Sequence, residues 1–229
     1  MVHQNNLVYK KNHNLRDHQK ITISMIVNEI KNKKNLKILD VGCANGNLVL
    51  DLKKKLKKNE NYYEAIELDK KIIKDNGAIF DKIYFKEFKK FININKKLYD
   101  FIILSGIICF FKNPIKIIED SLKLLKKGGS LIIFDRFTDN ADVEIIHSFK
   151  NSNKKFSSYN STSLFKVKLL KKKKYINNVT ISKFKLKKNI KKNNKNLHKS
   201  FTRSHGNDRI ILNHIDIIYN FYHILIHKS

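Results

Sequence analysis

Two acids and a turn of small residues carry the chemistry this chain can offer. Asp40 closes a short apolar run, Leu36-Lys37-Ile38-Leu39, and is followed by Val41-Gly42-Cys43-Ala44-Asn45-Gly46. Gly42, Ala44 and Gly46 keep bulk out of the place where the backbone doubles back, so a ligand can come against main-chain N–H groups there. Glu67 stands 21 residues after Gly46. A carboxylate about 20 residues beyond such a turn is where a nucleotide-binding α/β unit accepts hydrogen bonds from two ribose hydroxyls. Asp69 is close enough to serve instead, although its plainer reading is the cap of a helix starting near Lys70.

The elements that must position these groups are legible nearby. From Asn47 to Leu56 the apolar residues Leu48, Val49, Leu52 and Leu56 recur at helical spacing, which predicts strand, tight turn and helix. Tyr62-Tyr63-Glu64-Ala65-Ile66-Glu67 reads as the next strand, and Ile83-Tyr84-Phe85-Lys86-Glu87-Phe88 as a third strand and its exit. Leu98 to Ser105 is a fourth apolar run. A helical segment from Ile115 to Lys127 follows Asn113-Pro114, and Gly128-Gly129 would stop it before a fifth run through Asp135. Ahead of the first strand, Ile21, Met25, Ile26 and Ile30 form a helical stripe, and the polar stretch Tyr9 to His18 reads as a mobile lid.

The turn does not fit a dinucleotide fingerprint, because Ala44 replaces the middle glycine and Gly46 comes only two residues later. Asp-x-Gly-Cys-x-x-Gly at residues 40–46 instead resembles motif I of the class I S-adenosylmethionine-dependent methyltransferases. Tyr-Asp-Phe-Ile-Ile-Leu-Ser at 99–105, Asn113-Pro114, and Leu-Lys-Lys-Gly-Gly at 125–129 resemble the fourth and fifth strands of the same family, in the same order. The resemblance implies an α/β, Rossmann-like seven-stranded sheet with helices on both faces and an antiparallel last strand, Tyr219 to His227, at the sheet edge. It implies S-adenosyl-L-methionine as cofactor. Asp40, Gly42, Cys43, Ala44, Asn45 and Gly46 would then meet its methionine part and Glu67 and Leu68 its ribose side. Glu87 and Phe88 would lie toward the adenine, and Ser105 would close the site. Arg16 either meets the cofactor's carboxylate or is an ordinary surface arginine.

Methyl transfer from a sulfonium is an in-line displacement, so the protein has mainly to hold an acceptor atom about 3 Å from the methyl. A hydroxyl acceptor also profits from a base. Acceptor pockets lie outside the carboxyl ends of the strands, which directs attention to Ser105–Phe111, Asp135–Asp139 and Thr202-Arg203-Ser204-His205-Gly206. His205 is the first candidate base, since imidazole titrates near neutrality, with an exposed loop histidine as its plain alternative. Asp135 is the second. The Asp/Asn-Pro-Pro-Tyr/Phe motif of base-amino methyltransferases is absent, Pro114 being the single proline, and Cys109 lacks the preceding proline of cytosine-C5 enzymes. The expected acceptor is therefore a small molecule, by O- or N-methylation. The alternatives are an RNA methyltransferase and a fold that binds cofactor without catalysis.

Composition bounds the rest. With 229 residues the chain suits one domain that buries about 70 per cent of its unfolded surface, residues 1–35 preceding the core. A formal charge of +28 invites nucleic acid as a partner. Among 48 basic residues, however, only Arg16, Arg136, Arg203 and Arg209 are arginine. Lysine in the company of abundant Asn and Ile is what A+T-rich codons produce, and the guanidinium fork that reads bases and phosphates is scarce. Two cysteines, Cys43 and Cys109, exclude a disulfide framework and a multi-cysteine zinc site. No metal is expected, nor a membrane span, and a cytoplasmic location follows from the lack of an apolar leader. Beyond Asp135 the pattern predicts helices over Asp139–Phe149 and Leu164–Lys173, a strand over Ile176–Leu186, and a Lys/Asn loop from Lys187 to Lys199.

Overall fold

The apolar run ahead of the turn is strand β1 (Lys37–Val41), and its neighbours on both sides run parallel to it: β2 (Tyr62–Ile66) and β4 (Tyr99–Ser105). The computed structural model describes residues 15–30, 33–56, 60–73, 77–148, 156–186, 189–192, 200–205, 208–212 and 218–229. Beyond β2 lies β3 (Lys82–Tyr84), and beyond β4 lies β5 (Leu125–Thr138), both parallel. Two antiparallel strands complete the order β3-β2-β1-β4-β5-β11-β8: β11 (Phe221–Lys228) against β5, and β8 (Ile176–Lys183) against β11. The chain proceeds outward in opposite directions from β1 and β4, which opens a crevice at the carboxyl ends of these two strands.

Alternate residues of the central strands feed two cores, as expected of strands buried on both faces. Ile38, Phe101, Ile103 and Ile132 pack beneath α1 (Asp17–Ile30), α2 (Asn47–Leu56) and α3 (Lys70–Ile73) through Ile23, Ile26, Leu48, Val49, Leu52 and Ile73. Leu39, Ile102, Leu104, Leu131 and Ile133 pack on the other face against α4 (Phe88–Ile94), α5 (Pro114–Lys123) and α6 (Leu164–Leu169). Each such side chain contributes about 1.5–3 kcal/mol on burial. Helix α5 starts where the sequence says, Pro114 in its first turn and the Asn113 side chain accepting the Lys116 N–H at 3.0 Å.

Several expectations are corrected. Helix α5 ends at Lys123, and Leu125 already pairs with Tyr99. Gly128-Gly129 sits inside a bulge of β5, where a Cβ on Gly129 would lie 3.0–3.1 Å from the carbonyl oxygens of Lys126, Asp100 and Tyr99. The third strand is short, and Glu87 already stands at the N-cap of α4. The segment expected as a helix over Asp139–Phe149 contains strand β6 (Val143–Ser148), antiparallel to a strand not foreseen, β7 (Phe156–Ser163), which runs parallel to the end of β5. A short run with Val143, Ile145 and Ile146 satisfies both periods, and the β-branched residues decide for the strand. The last strand is not at the edge: β11 is inserted between β5 and β8, and β8 forms the edge.

Asp17 and His18, assigned to a lid, belong to α1, while residues 9–14 of that stretch lie outside the described residues. So does much of the Lys/Asn segment, residues 187–188 and 193–199. A separate hairpin joins β9 (Phe201–His205) to β10 (Asp208–Leu212). Among the described residues no helix is long and apolar enough to cross a membrane.

Candidate active site

The turn after β1 is built on left-handed backbone: φ is +69° at Gly42, +50° at Ala44 and +75° at Gly46. The Gly42 and Cys43 N–H groups donate to the Ile66 carbonyl at 2.8 and 3.4 Å, and the Gly46 N–H donates to the Cys43 carbonyl at 2.9 Å. The loop is thereby laced to the end of β2 before α2 begins. Gly42 is confined from above as well, since a Cβ there would stand 2.3 Å from Cδ1 of Ile107, in the loop after β4. Ala44 is less innocent than its size suggests, because an L-residue in this region costs about 1–2 kcal/mol.

Glu67 offsets that strain. Its Oε2 accepts the Ala44 N–H at 2.9 Å, and its Oε1 accepts the N–H groups of Leu68 and Asp69 at 2.7 and 3.1 Å. Asp69 accepts the Lys71 N–H at 2.9 Å and so caps α3. Asp40, 3% exposed, lies beneath the turn. Burial, and then the charge of Glu67, raise its carboxyl to about 7. Burial likewise pushes the Cys43 thiol up, so it is not a nucleophile. Two acids facing one glycine turn suit a ligand that brings positive charge and hydroxyls together, as S-adenosylmethionine does with its sulfonium, ammonium and ribose.

At the far end of this row, Leu68 and Phe85 are 48% and 39% exposed at the exits of β2 and β3. Glu87 is exposed and makes no side-chain cap bond. Phe88 points the other way: 3% exposed, it is packed in the core beside Phe91. The exposed aromatic ring of this exit is Phe85, which the sequence reading passed over. Asn45 and Ser105 are half-buried, and the backbone N–H of Gly106 donates to Phe134 O at 2.6 Å beside Ser105.

An aromatic cluster covers the ends of β4 and β5. His18 of α1 stacks on Phe134 with centroids 4.3 Å apart and planes 7° apart, while Phe184 and Phe221 meet Phe134 at 5.3 and 5.4 Å. His223 Nε2 lies 3.2 Å from the His18 carbonyl oxygen. Burial, then Arg16 and His223, lower the His18 imidazole to about 3, so it is neutral. Arg16 itself is exposed.

Next to Phe134, Asp135 is buried, which raises its carboxyl. Its two oxygens accept the backbone N–H groups of Arg136 at 2.8 Å and of Cys109 at 3.2 Å. Cys109 is buried, and burial raises its thiol. The Arg136 guanidinium lies against the rings of Tyr159 and Tyr219. His205 is placed elsewhere, exposed at the end of β9 in the separate hairpin, and Gly206 lies outside the described residues. His18 and Arg136 fall inside segments the sequence singled out, the lid and Asp135–Asp139, without being named themselves as site residues, and Tyr159 and Tyr219 went unnoticed, having no local spacing that groups them. Among the described residues no three His, Cys, Asp or Glu side chains gather as a metal site would require.

Comparison with known proteins agrees with this geometry. A sequence model described as a methyltransferase domain matches residues 16–167. No protein of curated function matches the chain in sequence. Similar solved structures include a SAM-dependent methyltransferase of Methanosarcina mazei, 12% identical over 89% of this chain and 96% of that one, with a TM-score of 0.56. The plantazolicin methyltransferase BpumL, in complex with SAH, is 14% identical over 97% and 90%, TM-score 0.58. A precorrin-6y C5,15-methyltransferase from Geobacter metallireducens is 16% identical over 96% and 92%, TM-score 0.52. At these identities the likeness is one of fold, and the family match carries the assignment. The chain belongs to the methyltransferase-domain family and is an S-adenosylmethionine-dependent methyltransferase.

Proposed function

We propose that the chain methylates a small organic molecule at oxygen or nitrogen, with the cofactor along Asp40 to Gly46 and Glu67 and the acceptor at the exits of β4 and β5. The observation that carries this is the aromatic enclosure of those exits, in which His18 lies flat on Phe134 and Phe184, Phe221 and His223 close around it. Rings arranged this way suit a compact acceptor with an apolar body rather than a long polyanion. The plantazolicin and precorrin enzymes, whose names specify small acceptors, lend the reading support.

The bound cofactor supplies an electrophilic methyl group; the chain's residues position, desolvate and orient. In this reading Leu68 lies on the ribose side of the cofactor, Glu87 toward its adenine, and Ser105 closes the cofactor site. A buried Asp135 with both oxygens held by backbone N–H groups fixes the loop after β4 more than it moves protons, and positioning alone accounts for the rate.

The test is production of S-adenosylhomocysteine from a fractionated metabolite extract and, in parallel, from total RNA. Methylated product in the low-mass fraction is expected, and label confined to RNA would overturn the reading. The exposed His205 is checked in the same assay. Turnover of His205→Ala within twofold of the parent is expected, whereas a loss of roughly 100-fold would make it the base.

A further inference from the structure

Among the described residues no carboxylate forms an ion pair with the guanidinium of Arg136. Arg16, Arg203 and Arg209 are exposed, whereas the Arg136 side chain is half-buried at the carboxyl end of β5. Its guanidinium carbon is 4.5 Å from the centroid of the Tyr159 ring and 4.8 Å from that of Tyr219. Among the described residues Nη2 reaches the Cys109 sulfur, 3.7 Å away and a weak acceptor. Nε is buried with no hydrogen-bond partner. The neighbouring Asp135 turns its oxygens to the backbone N–H groups of Arg136 and Cys109 and forms no ion pair with the guanidinium among the described residues, although the Arg136 charge is near enough to work against the rise that burial imposes on its carboxyl. Buried polar groups are almost always hydrogen-bonded, so an unpartnered N–H on a cation suits an acceptor brought from outside the described residues, and an anionic one makes the strongest bond.

The surroundings say where that acceptor comes from. The guanidinium sits between the loop after β4, through Cys109, and the approach to β11, through Tyr219, outside the carboxyl ends of β4 and β5, on the side of the sheet where ligands of open α/β folds bind. Phe110, 46% exposed, continues the wall 5.4 Å from the Tyr159 ring. Aromatic rings engage the flat face of a guanidinium and leave its N–H edge for a ligand, which an ammonium on a flexible stem cannot reproduce. In a chain whose basic residues are overwhelmingly lysine, the planar side chain stands where planarity has a use. We infer that Arg136 sets acceptor specificity by binding an oxyanion, a carboxylate or phosphate, on the molecule to be methylated. This rests on the small-molecule reading above.

The four arginines allow a direct test. In the protein loaded with S-adenosylhomocysteine, the arginine Nε–Hε signals are recorded by NMR, that of Arg136 being identified by its loss in Arg136→Lys, or in Arg136→Gln should the lysine variant not bind S-adenosylhomocysteine. Benzoate and inorganic phosphate are then titrated at millimolar concentration. A saturable shift of the Arg136 signal alone is expected; response to benzoate assigns a carboxylate, response to phosphate a phosphate ester. No shift with either anion overturns the inference. Extract fractionation keeps the two readings apart: product retained on an anion exchanger supports both, product in the neutral or cationic fraction overturns the role of Arg136 only, and product in RNA overturns the acceptor class itself. Arg136→Lys should bind S-adenosylhomocysteine as the parent does and raise KM for the acceptor at least tenfold, with kcat little changed.

Discussion

The carboxylate of Glu67 holds the backbone N–H of Ala44 at 2.9 Å, so the acid at the end of β2 clamps the turn at the end of β1. Through its other oxygen it also holds the N–H groups at the start of α3. One side chain thus shapes the turn after β1 and lies at the rim of the proposed cofactor site.

Glu67→Ala should therefore lower S-adenosylmethionine affinity at least tenfold and cost on the order of 1–3 kcal/mol of stability, read from calorimetry and denaturant midpoints. Asp69→Ala removes only a helix cap, about 1 kcal/mol, and should leave affinity intact. The reverse ranking in affinity would make Asp69 the ribose ligand.

Gly42→Ala adds a Cβ that must displace the Ile107 side chain while adopting φ near +69°. A loss of cofactor affinity of tenfold or more is expected, with about 1–2 kcal/mol of backbone strain. Adding Ile107→Ala relieves the collision but not the strain, so partial recovery of binding in the double variant is expected. Full recovery would show that contact, not conformation, makes glycine necessary.

Asp40 and His18 give opposite pH dependences. The raised carboxyl of Asp40 contributes stability that is complete below its ordinary 3.8 and is lost as pH rises toward 7. The lowered imidazole of His18 contributes stability present above its ordinary 6.5 and lost as pH falls toward 3. Between pH 3.8 and 6.5 the two slopes, each up to ~1.4 kcal/mol per pH unit, oppose one another, so removing each group in turn should tilt the parent's curve in opposite senses. His18→Phe, which preserves a ring on Phe134, should become less stable as pH rises through this window; Asp40→Asn should become more stable. Parallel curves for parent and both variants would remove these two groups from the linkage.

Cofactor binding should release a proton from Asp40. A cation placed beside a carboxyl that titrates at about 7 favours its ionised form. Calorimetry of S-adenosylmethionine binding at about pH 6.5, in buffers of different ionisation heat, should show proton release in the parent and none in Asp40→Asn. Equal release in both would place the linked group elsewhere.

The strand, the glycine turn and the acid that meets it were legible in the sequence because each of these parts is local. A strand buried on both faces is a continuous apolar run, a left-handed turn asks for glycine, and the acid of the next strand falls at a spacing fixed by one intervening helix. Leu39, Gly42, Gly46 and Glu67 announce their places by type and position alone. The β4-α5-β5 unit was readable for the same reason, up to the point where Leu125 continues into a strand instead of a helix, since apolar spacing over so few residues serves both.

What tertiary structure decided are contacts between residues with no common period. Ile107 seals Gly42 from 65 positions away, and His18 finds Phe134 across most of the chain. The guanidinium of Arg136 meets Cys109, Tyr159 and Tyr219, drawn from the loop after β4, strand β7 and the approach to β11. Strand β7, Phe-Ser-Ser-Tyr-Asn-Ser-Thr-Ser, has no apolar alternation, so its pairing with β5 and β6 rests on backbone hydrogen bonds that any sequence can make. The insertion of β11 between β5 and β8 was equally silent, because periodicity reports which face of a strand is buried and never which strand lies beside it.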